Sequence, residues 1–361
     1  MNRVLHPRPN PIIAAMYTLR DLDVDLIILH GPAGCGFMAS RRLEEAGVKV
    51  MTTGMQENDL IFGAEENLID VLRTVDRDFT PKTIGIIGTC ASMIIGENLD
   101  SAVRKAGIRA MVLPVDVHGC SGANTNGAIR VLEVAASKGL IPVHECERQK
   151  AMLTKATAIE KDRGITSRTY LEPSNGATKL AVALKITKAL REGQTIAVTL
   201  NAKKETAYGF ADIFRAVEMA KRKLGGRTVC IANLDRTVGL PRIRRYSEDI
   251  LRDLGGSGIT DIQITGGLDE YPIAGEKAAD MLDAVDAEVR IIAGLPHSLP
   301  RLRRDDVLVT DQPRELRNYL DKGFQNSVGE ISTHADVMST HSIIDSELGN
   351  TIREVVEKDY R

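Results

Sequence analysis

The chain has 361 residues, enough for two domains of roughly 150 residues each. Its formal net charge of -2 excludes the strongly basic surface that nucleic-acid binding requires, and 43% hydrophobic residues are an ordinary globular share. No run approaches the roughly 18 apolar residues of a membrane span, and residues 1–10 lack a signal-peptide core. We therefore expect neither a nucleic acid nor a membrane as partner.

Short apolar runs alternate with amphipathic stretches along most of the chain, a pattern typical of repeated βα units. The pattern predicts an α/β protein with two doubly wound, Rossmann-like parallel-sheet domains and a C-terminal helical tail. The predicted strands of the first sheet are residues 25–30, 48–53, 83–88, 109–116 and a short one at 141–144. Those of the second are residues 195–200, 228–234, 261–265, 289–295 and 307–310.

The same alternation predicts the domain organisation. Residues 1–145 form the first α/β domain, and residues 146–194, where the alternation stops, form a helical connection. Residues 195–323 form the second α/β domain, and residues 324–361 form the helical tail.

The five cysteines are widely spaced, odd in number and without a Cys-x-x-Cys pair. This spacing does not fit a secreted disulfide framework, so we expect a reducing, cytoplasmic location. Cys146 lies at a helix start and Cys230 inside a predicted strand, and both are expected to be buried side chains without a chemical role.

The other three cysteines follow predicted strands of the first sheet. Cys35, Cys90 and Cys120 each lie in a strand-to-helix turn, and the carboxyl ends of parallel strands share one edge of the sheet. Neighbouring glycines would let the backbone approach a bulky inorganic group, and a helix that begins nearby favours thiolate formation. Thiolates are the ligands of iron–sulfur clusters, so this edge is predicted to hold one. Cys120 could equally be a ligand or an ordinary side chain.

The first turn also permits a different interpretation. Residues 34–39 (GCGFMA) fit the G-x-G-x-x-A pattern of dinucleotide-binding enzymes, so a nicotinamide-dependent oxidoreductase is an alternative. That pattern normally has an acidic residue at the end of the second strand, where this chain has Thr52 and Thr53. No Gly-Lys-Ser/Thr follows the turn, so the chain is not expected to hydrolyse ATP itself.

Three turns together resemble the nitrogenase component-one family and its relatives in tetrapyrrole reduction. Residues 30–36 (HGPAGCG) are similar to the H-G-P-x-G-C cluster loop of that family. Residues 57–63 (ENDLIFG) resemble its E-x-D-x-V-F-G-G segment, and residues 89–99 (TCASMIIGENL) resemble its T-C-x-x-x-x-I-G-D-D-L segment. The resemblance is strong over the first third of the chain and extends to the rest by architecture.

The chain departs from most members of that family because it is shorter and has no cysteine before Cys35. Residues 10–17 (NPIIAAMY) resemble small homodimeric members of the family from methanogenic archaea. The resemblance implies an ATP-dependent, multi-electron reduction and ring cyclisation of a nickel tetrapyrrole, Ni-sirohydrochlorin a,c-diamide, on the route to coenzyme F-430. It also implies a partner similar to the nitrogenase iron protein, which would bind the ATP and magnesium and supply the electrons. A cluster-assembly scaffold without catalysis is the alternative.

The resemblance implies Cys35 and Cys90 as ligands of a 4Fe–4S cluster. Such a cluster generally takes four thiolates, so one chain would supply half of the set. A two-fold homodimer could bridge one cluster with both residues from each chain. The alternative is one cluster per chain, with Cys120 as the third ligand.

Other residues at the same edge are candidates for binding or proton delivery. The turns that would surround the cofactor contain Gly31, Pro32, Gly34, Gly36 and Thr89. His118 and Glu57 are candidates for proton delivery, because both follow strands of the first sheet. The carboxylates of a sirohydrochlorin-type substrate would suit arginine, and the candidates are Arg41, Arg42, Arg242 and Arg244.

Overall fold

A computed structural model describes residues 10–120, 122–163, 176–269, 274–330, 337 and 340–358. The described residues form two compact units. The first unit contains the residues up to Arg163 together with Leu240–Arg242, and the second unit contains the others. In these described ranges, no helix is both long and apolar enough to cross a membrane.

Both units are built from parallel strands and the helices that connect them. The strands are β1 Leu26–His30, β2 Lys49–Thr52, β3 Thr83–Gly88, β4 Met111–Asp116, β5 Thr195–Asn201, β6 Arg227–Ala232, β7 Ile262–Ile264, β8 Val289–Gly294, β9 Val307–Thr310 and β10 Ser327–Gly329. The helices of the first unit are α1 Pro11–Asp21, α2 Phe37–Glu45, α3 Glu57–Phe62, α4 Glu65–Phe79, α5 Cys90–Ile94, α6 Leu99–Ala106, α7 Thr125–Ser137 and α8 Val143–Arg163. The helices that follow are α9 Ala177–Arg191, α10 Ala207–Phe210, α11 Asp212–Leu224, α12 Pro241–Gly256, α13 Gly275–Asp283, α14 Pro313–Asp321 and α15 Glu347–Lys358.

The first unit contains a parallel sheet with the strand order β2-β1-β3-β4. All five residues of β1 are buried, as expected for a parallel strand that is covered on both faces. The chain passes from β1 to β2 on one side and then crosses to β3 on the other side. The strand order therefore reverses between β1 and β3, and ligands of open α/β sheets bind in the crevice outside such a reversal.

Helices cover both faces of this sheet. On one face, α4 and α6 contribute Leu68, Leu72 and Ala102 to a core that also contains Ile28 and Ile86. On the other face lies α1, whose residues are all buried and which packs on α7. The sequence pattern did not predict α1, because a helix that is buried all round has no amphipathic period. The Asn10 side chain accepts a hydrogen bond from the Ile13 N–H and caps this helix.

The second unit contains a parallel sheet with the strand order β10-β9-β8-β5-β6-β7. Its core includes Ala197, Ile231, Ile292 and Leu308 from the strands, with Leu282 of α13 packed against them. The strand order reverses between β5 and β8, so this sheet is also doubly wound. The predicted fold class is confirmed: each unit is a doubly wound parallel α/β domain, and the chain ends in a helix over the described residues.

Two local predictions differ from the structure. The predicted strand at residues 141–144 is wrong, because α8 begins at Val143. The Pro142 carbonyl accepts a hydrogen bond from the Cys146 N–H, and proline has no N–H to donate to a sheet. The predicted tail contains a strand, β10, before its helix. This strand pairs with β9, but its three residues are too few to recognise from alternation.

Candidate functional site

The two cysteine turns predicted to bind a cluster lie on the two sides of the strand-order reversal in the first sheet. β1 and β3 pair in parallel, with His30 opposite Gly88 at their carboxyl ends. Cys35 follows β1 after a tight turn, and Cys90 follows β3 as the first residue of α5. The sheet therefore brings these two turns to the position where ligands bind in this fold class.

The Cys35 turn is held in a compact form by its own backbone and by glycine. The Cys35 N–H donates to the Pro32 carbonyl over 3.0 Å. Gly36 has a φ of +81° where α2 begins, and a Cβ there would lie 2.8 Å from the Leu29 Cδ1. A left-handed conformation and close packing both favour glycine at this position. The Cys35 side chain is half-buried beside this turn.

Thr89 connects the Cys90 turn to the Cys35 turn. Its N–H and its hydroxyl both donate to the His30 carbonyl, over 3.2 and 3.1 Å. Burial and the nearby Cys90 raise the pKa of the Cys35 thiol. Thr89 is fully buried, and a Cβ on Gly31 would lie only 2.2 Å from its hydroxyl oxygen. Contacts within the protein are therefore enough to explain why threonine stands at position 89 and glycine at position 31.

Cys120 lies beside Cys90, in the turn that follows β4. The two sulfur atoms are 3.8 Å apart, and the Cys90 sulfur also accepts a hydrogen bond from the Gly119 N–H over 3.1 Å. Cys120 is exposed, and the hydrogen bond and negative charge of Cys90 raise its pKa, with a smaller contribution from Cys35. The structure therefore brings three thiols together. By contrast, Cys146 and Cys230 are buried, as predicted.

Thiols are the ligand type that iron–sulfur groups use. Within the described ranges, no set of three or more His, Cys, Asp or Glu side chains could hold one metal ion. Ligands of a cluster bind different iron atoms, so their sulfur atoms need not converge on one point. Cys90 contributes to raising the pKa of Cys35 and of Cys120, and metal binding would relieve this because coordinated thiols are deprotonated.

The residues proposed for proton delivery lie on exposed parts of the same edge. His118 precedes the Cys120 turn and is exposed, and its Nδ1 accepts a hydrogen bond from the Cys120 N–H over 3.4 Å. Glu57 is exposed at the first position of α3. The neighbouring Asp59 accepts from the Gln56 N–H over 2.7 Å and caps this helix.

The predicted arginines fall into two groups. Arg41 and Arg42 are exposed on α2, directly after the Cys35 turn, and Arg41 lies 3.7 Å from the Glu45 carboxylate. Arg242 belongs to the first unit. It donates a hydrogen bond to the Ala46 carbonyl and forms an ion pair with Asp23. Arg244 is partly buried on α12. Arg242 therefore has a structural role independent of any ligand.

The sequence analysis missed a group of exposed apolar side chains at the same edge. They follow three different strands of the first sheet: Phe37, Leu60, Ile61, Phe62, Met93 and Ile94. Phe62 is 84% exposed and Ile94 79% exposed, although side chains of this kind are usually buried. A group of apolar side chains on a surface marks an interaction site. The sequence feature that could have indicated this group is the apolar run of residues 60–62 in a strand-to-helix turn, where polar residues are usual.

The end of β2 does not support the nicotinamide alternative. The Thr53 hydroxyl accepts from the Gly31 N–H over 3.0 Å, and the Thr52 hydroxyl donates to the Gly31 carbonyl over 3.3 Å. These side chains fasten the Cys35 turn and occupy the position from which an acidic residue would bind a ribose.

The fold and the thiol-lined reversal define an oxidoreductase of the nitrogenase component 1 type, and this family matches residues 11–152. The chain is 48% identical to the component CfbD of the Ni-sirohydrochlorin a,c-diamide reductive cyclase complex of Methanothermobacter thermautotrophicus, over 98% of this chain and 99% of the relative. It is 43% identical to the component of the same name of Methanocaldococcus jannaschii, over 98% and 100%. The nitrogenase molybdenum-iron protein alpha chain of Methanosarcina barkeri is 32% identical over 33% of this chain and 24% of its own length.

The chain belongs to the CfbD family of nitrogenase-like oxidoreductase components. The family and the enzyme class predicted from the three turns are confirmed.

We predict that Gly31→Ala destabilises the first unit and that Gly34→Ala does not. The new Cβ at position 31 would collide with the buried Thr89 side chain, whereas at position 34 nothing lies within 4 Å. Overpacking of this kind costs roughly 1–3 kcal/mol. Denaturant unfolding of the metal-free protein measures the difference. Equal stability of the two variants would contradict the packing described for the Cys35 turn.

Proposed function

We propose that the chain is the catalytic component of a Ni-sirohydrochlorin a,c-diamide reductive cyclase in coenzyme F-430 biosynthesis. It would act in the cytoplasm with an ATP-dependent reductase similar to the nitrogenase iron protein. The name of the full-length relatives supports the substrate, and the three thiols at the strand-order reversal support an iron–sulfur group. The direct test is anaerobic turnover of the nickel tetrapyrrole with the reductase and ATP. Cluster transfer to another protein without turnover would instead indicate a scaffold.

The residues of the chain would bind the cluster and the substrate in distinct ways. Cys35 and Cys90 would hold a 4Fe–4S cluster, which supplies single-electron transfer to the substrate when bound. The Gly119 N–H points at the Cys90 sulfur over 3.1 Å, and such donors stabilise a cluster thiolate. Exposed His118 is positioned to deliver protons from solvent, and Glu57 is the second candidate for this role.

We further propose that the chain is a homodimer and that one cluster bridges its two copies. Two thiols per chain, Cys35 and Cys90, match the family's ligand motifs, and a two-fold axis at the cysteine edge would complete a set of four. Exposed Phe37 and Ile94 flank these two turns and would be buried by the second copy. Cys120 would then lie next to the cluster without binding it.

Single serine variants test this ligand set. Cys35→Ser or Cys90→Ser should abolish the visible absorption of the cluster, because each change removes two of four thiolates from the dimer. Cys120→Ser should keep the absorption, and the buried Cys146→Ala should keep it as a control. The measurement is the spectrum of anaerobically purified protein together with its iron content. A Cys120→Ser protein without iron would contradict the bridged arrangement and favour one cluster per chain.

The reductase would dock on the surface of α3. This helix presents the Glu57 carboxylate together with exposed Ile61 and Phe62, a combination of charge and apolar area that suits a transient protein partner. It directly follows a turn of the carboxyl edge at which the cysteines lie, so docking there would bring the partner close to the cluster.

Reversal of the charge at Glu57 tests this docking surface. Glu57→Lys should slow ATP-dependent reduction by roughly tenfold or more, since complementary charge accelerates association to that degree. Chemical reduction by dithionite should be unchanged. Glu44→Lys, on an exposed position of α2, is the matched control. Loss of both reactions in the Glu57 variant would show damage to the cluster or the fold instead.

The arginines would bind the carboxylates of the macrocycle. Removing a charged hydrogen bond costs about 1.5–3 kcal/mol, so Arg41→Ala/Arg42→Ala and Arg244→Ala should each weaken tetrapyrrole binding by roughly tenfold or more. Arg77→Ala is the control, because Arg77 pairs with Asp78 over 2.7 Å at the far end of α4. Binding can be measured by titration of the tetrapyrrole absorption. If a variant binds like the wild type, its arginines belong to the ordinary surface. Arg242 is the remaining candidate, and its ion pair with Asp23 gives it a structural role as well.

A further inference from the structure

A buried histidine and a buried glutamate form a pair beneath the cysteine turns. His30 is the last residue of β1, and its side chain is fully buried. Its Nε2 lies 3.7 Å from the Glu97 Oε2, and the Glu97 side chain is only 8% exposed. The mechanism proposed above uses neither side chain.

The hydrogen bonds around Thr53 favour one of the two ring nitrogens of His30 as the site of its proton. The Thr53 hydroxyl oxygen accepts from the Gly31 N–H over 3.0 Å, so its own hydrogen is available to an acceptor. The His30 Nδ1 lies 3.2 Å from this oxygen, nearer than the Gly31 carbonyl at 3.5 Å. A ring that accepts at Nδ1 has its proton on Nε2, which faces Glu97.

The pair is held in place but is not joined by a hydrogen bond. Within the described structure the His30 Nε2 has no hydrogen-bond partner, although it is buried. The other Glu97 oxygen accepts from the Ala64 N–H over 2.7 Å, which fixes the carboxylate at the start of α4. A buried donor without a partner is rare and costly, so its retention next to a carboxylate calls for a functional reason.

Burial of the ring favours its neutral form, whereas nearby negative charge favours its protonated form. Burial lowers the pKa of His30, while Glu97 and Asp59 of α3 raise it by a smaller amount. At the ends of β2 and β3, the neutral Thr53 hydroxyl lies beside the ring and the neutral Thr89 hydroxyl binds the His30 carbonyl. One more negative charge near the ring would therefore favour its protonated form.

The backbone of His30 is hydrogen-bonded to the Cys90 turn and continues directly into the Cys35 turn. The His30 carbonyl accepts both hydrogen bonds of Thr89, the residue before Cys90. Its next neighbour in the chain, Gly31, begins the turn that ends with Cys35. Because the His30 side chain is fully buried, charge on a group held by these two thiols would be weakly screened by solvent where it acts on the ring.

We propose that the His30–Glu97 pair is a redox-linked protonation site of this centre. When one electron arrives on the iron–sulfur group, His30 takes up one proton from solvent at Nδ1, and the Thr53 hydroxyl turns its hydrogen towards the Gly31 carbonyl. When the electron leaves for the substrate, the proton is released again. The electron comes from the reductase, or from dithionite in a test, so charge is balanced in both directions. This inference rests on the proposed function, because it requires the cluster.

The test is the pH dependence of the cluster's midpoint potential, measured by spectroscopic redox titration between about pH 6 and pH 9, around the ordinary range of histidine. For uptake of one proton per electron, the potential falls by up to about 59 mV for each tenfold decrease in proton concentration. The wild type should show this slope over part of the range. His30→Gln, which cannot titrate, should give a flat response, and the exposed Asp70→Asn on α4 should behave like the wild type.

A second variant keeps the test decisive if His30→Gln does not assemble the cluster. Glu97→Gln retains an acceptor for the Ala64 N–H but loses the charge that favours protonated His30. Its sloping region should therefore move to lower pH. A wild-type potential independent of pH, a slope that persists in His30→Gln, or an unmoved slope in Glu97→Gln would each overturn the inference. Any of these results with iron bound would leave the proposed function intact. Wild-type protein without a cluster would contradict the proposed function and this inference together.

Discussion

The parallel pairing of β1 with β3 is the constraint on which the candidate site depends. The register that sets His30 opposite Gly88 brings two turns, widely separated in sequence, to one crevice of the sheet. Thr89 continues this pairing beyond the strands by donating twice to the His30 carbonyl. A shift of the register by one residue would move both cysteines relative to one another and break these bonds. The positions of the thiols are therefore determined by the sheet as well as by their own turns.

Much of the fold could be predicted from the sequence, for identifiable physical reasons. The strands of parallel sheets are continuous apolar runs, and residues 26–30 and 83–88 show this pattern clearly. Helix α1 could not be predicted in this way, because it is buried on all sides and so lacks the period of a surface helix. The three-residue β10 gives no alternation to detect, and its place in the sheet depends on pairing with β9.

The candidate site was predictable where a single residue type carries the chemistry. Cysteine beside glycine at a strand end predicts a thiol turn, and the structure brings three such turns together. The pairing of His30 with Glu97 could not be predicted, because it joins residues far apart in sequence that become neighbours only in the folded sheet. The exposed Ile61 and Phe62 were equally hidden, since exposure is a property of the tertiary structure. Their position suggests that this edge is a surface for partners as well as a site for a cofactor.

We propose that two chains share one cluster, each contributing Cys35 and Cys90. The most direct measurement is the iron content of anaerobically purified wild-type protein, referred to its native mass in solution. A shared 4Fe–4S cluster predicts a dimer with about four irons, because four thiolates from two chains complete one set. About eight irons per dimer, or about four irons on a single chain, would contradict it and place Cys120 in the ligand set of each chain.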